Sequence, residues 1–398
     1  MNPNLDRLHP YPFQKLAALF AGITPNAQYA PISLSIGEPK HPTPEFIKAA
    51  LIANIGGLAY YPLTAGTDAL RETIAGWLAK RHGIAQPDAK TQVLPVNGSR
   101  EALFAIAQTV VDASTAAPIV VAPNPFYQIY EGAALLAGAE TRFLDLNPDK
   151  DYRLDPEQLD ETTWANTQLI YVCSPGNPTG HVMQLEEWRR LFDLSDRHGF
   201  TIASDECYSE IYLDESAPPL GALKAAHALG RTDFRRLLIF GSLSKRSSVP
   251  GMRSGFVAGD AAIIEKFRLY RTYHGSAMSP AVQAASVAAW SDEAHVVENR
   301  RLYREKFAQV VPLLREVCEV DAPQGGFYLW MRTPVPATQF AKRLYEHYNV
   351  SVLPGAYLAR ETHGVNPGQD RVRIALVAPL QECLEAAGRI RDCISKLQ

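Results

Sequence analysis

The sequence has little that would build a metal centre, a disulfide framework or a membrane span. Its five cysteines, Cys173, Cys207, Cys318, Cys383 and Cys393, are scattered, odd in number and without a C-x-x-C pair. That pattern argues against a disulfide scaffold or zinc ribbon and fits a reducing cytoplasm. The ten histidines form no H-E-x-x-H spacing, so no metal site is expected. No apolar run approaches the roughly 20 residues of a bilayer span. Leu16 to Ile23 imitates a short signal-peptide core, but Pro3, Asp6, Pro10 and Pro12 precede it and no convincing cleavage site follows. A short amphipathic helix and a cytoplasmic protein are the expectation. Charge of one sign is missing too: 39 Lys and Arg against 42 Asp and Glu leave a formal net charge of −3. With no basic run, a nucleic-acid or polyanion partner is not expected. Internal repeats and low-complexity tracts are absent. So is a G-x-G-x-x-G after the first strand, which disfavours a dinucleotide enzyme.

What is present is a chain of 398 residues with 46% hydrophobic and 20% charged residues, long enough for two domains. A helix pattern runs through Pro44 to Ile55, and another follows Thr67 with Leu70, Ile74, Trp77 and Leu78 at helical spacing. Short β-branched runs then alternate with helical stretches. The runs are Gln92–Val96, Ile119–Ala122, Thr141–Leu146, Leu169–Cys173, Thr201–Ser204, Leu237–Phe240 and Phe256–Ala258. Helices are expected at Arg100–Val111, Tyr127–Ala137 and Leu185–His198. The alternation predicts an α/β fold, a mostly parallel seven-stranded sheet sandwiched by helices. One long helical segment from about Ala281 to Val317 is expected to lead into a smaller α+β domain. The division expected is 36–285 for the large domain and 286–398 for the small one, with residues 1–35 packing on the latter.

Polar segments sit at the predicted strand ends, where open α/β sheets bind ligands. Gly241-Ser-Leu-Ser-Lys245-Arg-Ser-Ser-Val-Pro-Gly251-Met-Arg253 follows one apolar strand. Its hydroxyls, lysine and arginine suit a phosphorylated ligand, since an arginine can grip phosphate with two parallel N–H donors. Read alone it could equally be a solvated basic loop. Asn97-Gly98-Ser99-Arg100 joins a strand to a helix, whose N-terminus favours phosphate. Ser204-Asp205-Glu-Cys-Tyr208 and Asn124-Pro-Phe-Tyr127 follow strands, and Ser174-Pro-Gly-Asn177-Pro178-Thr-Gly180 is dense in turn formers. In Arg371-Val-Arg373-Ile-Ala-Leu, period-two alternation puts Arg371 and Arg373 on one face and cannot choose between them.

Together and in this order, these segments resemble the class I/II aminotransferases of pyridoxal 5′-phosphate (PLP) fold type I. Ser242, Lys245 and Arg253 reproduce the family's spacing of a serine three residues before the cofactor lysine and an arginine eight after it. One departure is Ser254, where many members carry an apolar residue. The resemblance implies PLP joined to Lys245 as a Schiff base, with Asp205 on the pyridine nitrogen. It implies Tyr208 and Asn177 on the ring oxygen, and Tyr127 stacked on the ring. It also implies Ser99, Arg100, Ser242 and Arg253 at the phosphate, and a cis bond at Asn177–Pro178. Arg373 is favoured for the substrate α-carboxylate, and Gly37, in Ser35-Ile-Gly-Glu-Pro39, for a loop closing over substrate. Tyr60-Tyr61-Pro62 resembles the element that reaches the partner's phosphate, so Tyr61 implies a homodimer with shared sites.

The wording of Leu8–Phe13, Ser35–His41, Tyr61–Gly66, Ser244–Arg253 and Tyr273–Pro280 resembles bacterial succinyldiaminopimelate aminotransferases. That branch implies transfer from glutamate to N-succinyl-2-amino-6-oxopimelate. The alternatives are a general aspartate, alanine or methionine aminotransferase, or a PLP lyase. Lys40, Arg100 and Arg246 are the candidates for the remote carboxylate of the succinyl arm.

Overall fold

The protein, seen in a computed structural model, is described over residues 1–397. Twelve strands are described: β1 (Ile32–Ser33), β2 (Val93–Val96), β3 (Ile119–Asn124), β4 (Glu140–Asp145), β5 (Thr167–Cys173), β6 (Thr201–Asp205), β7 (Leu237–Ser242), β8 (Gly255–Gly259), β9 (Tyr328–Arg332), β10 (Val350–Ser351), β11 (Leu353–Pro354) and β12 (Arg371–Ala375). All seven predicted strands are present, each within about two residues of its expected ends, and they form one sheet in the order β2-β8-β7-β6-β5-β3-β4. Six strands run in the same direction; β8 alone is reversed, antiparallel to both of its neighbours, β2 and β7.

Successive residues of the central strands feed two separate apolar layers. Ile170, Val172, Ile202, Leu237 and Ile239 pack on one face, and Leu169, Tyr171, Ala203, Leu238 and Phe240 on the other. Burial on both faces explains why these runs are continuously apolar. The parallel strands put the ends of β2, β3, β5, β6 and β7 on one edge of the sheet. β8 starts there, because it runs the other way. Every polar segment singled out above around this sheet therefore emerges at one edge.

A second core surrounds an antiparallel sheet of order β11-β12-β9, in which Arg373 pairs with Trp330 and Arg371 with Arg332. Ile32 and Leu34 belong to that core, and β1 pairs parallel with β10, so the first part of the chain is stitched to the last. The stretch resembling a signal-peptide core lies largely in a helix, Pro12–Phe20, that buries Leu16. Among the described residues no helix is long and apolar enough to cross a membrane.

The expected continuous helix from Ala281 to Val317 is corrected to two, Pro280–Ser291 and Ala294–Arg315. The break lies at Asp292, whose backbone is extended and whose side chain accepts from the His295 N–H at 3.0 Å. An aspartate competing for the backbone in this way starts a new helix rather than continuing the old one.

Candidate active site

At the polar edge of the large sheet, between it and the smaller one, lies a cavity of about 530 Å3. Lys245 enters it from a short helical turn after β7, whose first N–H groups are turned by the Ser242 hydroxyl, accepting from Ser244 N at 3.1 Å. The Lys245 amine donates to the Gly37 carbonyl at 2.6 Å. Burial, with the Arg373 charge adding to it, pushes its pKa down to about 8. A neutral fraction of this amine is therefore present near physiological pH.

Asp205, at the end of β6, forms the opposite pole. It is 2% exposed. Its Oδ2 accepts from the Tyr130 hydroxyl at 2.8 Å and its Oδ1 from the Cys207 N–H at 3.3 Å. Burial raises its pKa above the usual carboxylate range, and those hydrogen bonds offset only part of the shift. Among the described residues no cation forms an ion pair with it.

Arg373 reaches the cavity from β12. It donates to Asn177 Oδ1 at 3.0 Å and to the Ser35 carbonyl at 2.9 Å, and its guanidinium lies 4.3 Å from the centre of the Tyr328 ring. Arg371 shares its strand face but lies about 7 Å away by strand geometry. It turns to the Trp330 carbonyl and Glu319, outside this cavity. Tertiary structure thus separates two arginines that alternation could not. Gly37 faces them: a Cβ there would meet the Tyr328 hydroxyl at 1.8 Å, so only glycine brings this backbone so close.

The third corner is built for an anion. The helix Ser99–Val110 opens toward the cavity with Gly98 at its N-cap and no side chain capping it, which leaves first-turn N–H groups for a ligand. Ser242, Ser244 and Arg253 stand beside it. Arg253 has a left-handed backbone, φ 53°, and spans to the carbonyls of Pro250 and Asn97. A Cβ at Gly98, itself at φ +83°, would lie 2.3 Å from the Arg253 guanidinium, closing the cradle. Arg253 pairs with no carboxylate among the described residues.

These donors fit PLP. Free helix N–H groups, two serine hydroxyls and an unpaired arginine suit a phosphate. A buried carboxylate without a cation suits a protonated ring nitrogen, and a buried amine of lowered pKa suits an aldehyde.

Of the residues expected from sequence, Gly37, Ser99, Arg100, Tyr127, Asn177, Asp205, Tyr208, Ser242, Lys245, Arg253 and Arg373 all line the cavity. The Asn177–Pro178 bond is cis. Tyr61 does not line it; its side chain is fully exposed on this chain. Of the three candidates for a remote carboxylate only Arg100 is at the cavity, where it donates to the Tyr127 hydroxyl. Lys40 is exposed and away from the lining. Arg246 is a correction: it is 1% exposed, donates to the carbonyls of Ala289 and Asp292, pairs with Glu293 and stacks over Trp290. Following Lys245 in sequence, it points away into the protein and ties two helices.

Sequence reading missed Tyr328, whose hydroxyl lies 3.0 Å from that of Tyr208, and Tyr130 beneath the site. Tyr328 carries no local signal within its apolar strand. Tyr130 follows Tyr127 by three residues across the turn that opens the helix Ile129–Leu136, and the sequence marks Tyr127 alone. The departure at Ser254 also has a reason: its buried hydroxyl pairs with that of Ser286 at 2.7 Å.

Residues 30–390 match the family described as Aminotransferase class I and II. A crystal structure of an aminotransferase from Neisseria meningitidis is 50% identical, with a TM-score of 0.96 and all of both chains covered. A probable N-succinyldiaminopimelate aminotransferase from Thermus thermophilus is 27% identical with a TM-score of 0.82, over 92% of this chain and 95% of that one. A probable aminotransferase of Mycobacterium tuberculosis is 34% identical over 90% of this chain and 80% of the relative. An LL-diaminopimelate aminotransferase of Nitratidesulfovibrio vulgaris is 30% identical over 91% of each. A lysine, a carboxylate and an arginine meeting at this sheet edge, in a chain matched from residue 30 to residue 390, make this protein a member of the class I and II aminotransferases, enzymes that depend on PLP.

Proposed function

We propose that this enzyme moves an amino group between glutamate and N-succinyl-2-amino-6-oxopimelate. The observation that carries the reading is Arg100. It is a second guanidinium at the cavity besides Arg373, outside the phosphate cradle's arginine, and it pairs with no carboxylate among the described residues. A cavity of about 530 Å3 with cations at separated positions suits a long substrate bearing more than one carboxylate. The Thermus thermophilus neighbour, named for the same substrate, supports it.

Bound PLP supplies an aldehyde carbon for the amino group and a ring that takes up electrons from the breaking Cα–H bond. The Ser99 and Arg100 backbone N–H groups, Ser242, Ser244 and Arg253 would hold its phosphate, and Tyr127 would support its ring. Asp205 keeps the ring nitrogen protonated, while Asn177 and Tyr208 hold the ring oxygen. Arg373 grips the α-carboxylate and thereby fixes which bond at Cα is presented for cleavage. The neutral Lys245 Nζ would take the proton from Cα and hold it as an ammonium for return to the substrate–cofactor pair. Arg100 holds the succinyl carboxylate. Ile52, Ile55, Leu58, Tyr60, Tyr61 and Leu63 form an exposed apolar run. This run supports a homodimer in which Tyr61 serves the partner's phosphate.

Glutamate formation from 2-oxoglutarate tests the substrate. N-succinyl-LL-diaminopimelate should exceed aspartate, alanine and unsuccinylated LL-diaminopimelate in kcat/KM by at least about tenfold, the scale of one charged hydrogen bond. The names of several relatives favour LL-diaminopimelate as second reading. Equal or better turnover of it would replace the first.

A further inference from the structure

We propose that Tyr130 is the positioning residue of the site's buried acid, fixing the orientation of the Asp205 carboxylate through one phenolic hydrogen bond. The proposal rests on the assignment of Asp205 to the cofactor's ring nitrogen.

Tyr130 lies in the helix Ile129–Leu136, and its N–H donates to the carbonyl of Tyr127, which precedes that helix, at 3.0 Å. The two rings meet edge to face, with centroids 5.8 Å apart at 83°. Tyr127 faces the cavity. Tyr130, fully buried and not part of the lining, faces Asp205 Oδ2 at 2.8 Å. Its ring lies flat on Tyr171, with centroids 4.6 Å apart and 8° between planes. The Tyr171 hydroxyl is committed elsewhere, to the Leu103 carbonyl at 2.7 Å. Stacking therefore fixes the Tyr130 ring without supplying a rival donor. Oδ2 of Asp205 accepts from the phenol and Oδ1 from the Cys207 N–H, with the Cys207 thiol also interacting with the carboxylate.

The phenol stays protonated, since burial drives its pKa well above the ordinary value. A neutral donor favours the charged form of the carboxylate it touches. Burial works against that charge. The other titratable groups facing Asp205 are Cys173 from the neighbouring strand, Cys207 from its own loop and Lys245 across the cavity. Burial holds both thiols in the uncharged form, so neither places a negative charge beside the carboxylate. Without the phenol, the carboxylate keeps only contacts from Cys207, is more easily neutralised, and is freer to swing about its Cβ–Cγ bond. Its hold on a cationic ring weakens in both respects.

The test uses purified full-length apoprotein titrated with PLP by equilibrium dialysis, and a pH titration of the bound cofactor's visible absorbance. Tyr130→Phe keeps the stacked ring and removes only the hydroxyl. It should weaken PLP binding about 10-fold or more, the scale of a lost hydrogen bond to a charged group, and displace the titration midpoint. Tyr171→Phe, which loses a hydroxyl of equal burial bonded to backbone, should change neither. In an Asp205→Asn background, Tyr130→Phe should have no further effect on PLP affinity. Wild-type affinity and midpoint in Tyr130→Phe would overturn the proposal, as would an equal loss in Tyr171→Phe or in the Asp205→Asn background. If Asp205→Asn alone leaves PLP affinity unchanged, the role of Asp205 fails first. Should Tyr130→Phe fail to fold, Tyr130→Leu and Tyr171→Leu are compared at matched thermal stability. The proposal then requires that only the former shift the absorbance midpoint.

Discussion

Two lysines lie inside this protein without a carboxylate partner among the described residues, Lys306 fully buried and Lys245 half-buried, and their surroundings differ in access. Lys245 donates to the Gly37 carbonyl at 2.6 Å and lies 5.5 Å from the centre of the Phe327 ring. Lys306 contacts His41 Nε2 at 2.7 Å and lies 5.0 Å from the centre of the Tyr303 ring. Burial lowers both pKa values to about 8. The difference is access. Lys245 lines the cavity, whereas Lys306 is sealed between its helix, Ala294–Arg315, and the loop carrying His41. A lowered pKa therefore does not by itself mark a reactive amine; the space beside it does.

The second region serves the first. Lys306 donates to His41 Nε2, which leaves Nδ1–H to donate to Asn299 Oδ1 at 2.7 Å. Burial holds this imidazole neutral, with a pKa of about 4. Asn299 then donates to the backbone carbonyls of Lys245 and Arg246, at 3.1 and 3.3 Å. In the proposed mechanism one lysine reacts, and the other helps fix the backbone that presents it.

The widest contrast comes from deleting each amine. Lys245→Ala should lower kcat by roughly 10²–10⁴-fold or more and abolish the visible band of lysine-bound PLP. Wild-type turnover would remove Lys245 from its role. The same contrast can be drawn between the two arginines of β12. Arg373→Ala should lower kcat/KM for amino acids about 10- to 100-fold, by loss of a charged, two-pronged contact. Arg371→Ala should stay within about threefold, as expected for a residue that makes no contact in the cavity. Steady-state kinetics on the two variants reads the difference.

The smallest effect concerns Lys306→Met in the PLP-loaded enzyme, where Lys245 is occupied. An unfolded lysine has its ordinary pKa of 10.5, against about 8 when folded. Between these values the unfolded chain binds more protons, so stability rises with pH across that window. The cost is fully present below pH 8. Wild type should gain up to ~3 kcal/mol between pH 8 and 10.5 that Lys306→Met does not. Parallel thermal melts across that range decide it; parallel curves would mean that Lys306 keeps an ordinary pKa.

Six strands of the large sheet were legible because each is a short apolar run bounded by turn formers and buried on both faces; β4, the half-exposed edge strand, was legible only from its place in the alternation of strands and helices. The cavity residues on that sheet were legible for a related reason. Strand ends are marked in sequence, and a parallel sheet brings those ends to one edge. The break at Asp292 was not legible, because alanine-rich periodicity continues through it and one side-chain hydrogen bond decides it. Tyr61 was placed at a phosphate, yet in a single chain it stands in solvent.

By itself the sequence determined the alternation of strands and helices, the family, and the identity of the lysine, acid and arginine at the sheet edge. Those follow from local pattern and from motif spacing. Only tertiary structure turned Arg371 away from the cavity, where motif position had favoured Arg373, sent Arg246 into the protein interior, and set Tyr130 under Asp205 and Tyr328 against Gly37. The physical reason is the same in each case. A side chain's partner is chosen by distances between elements far apart in the chain, and neither periodicity nor composition encodes those distances.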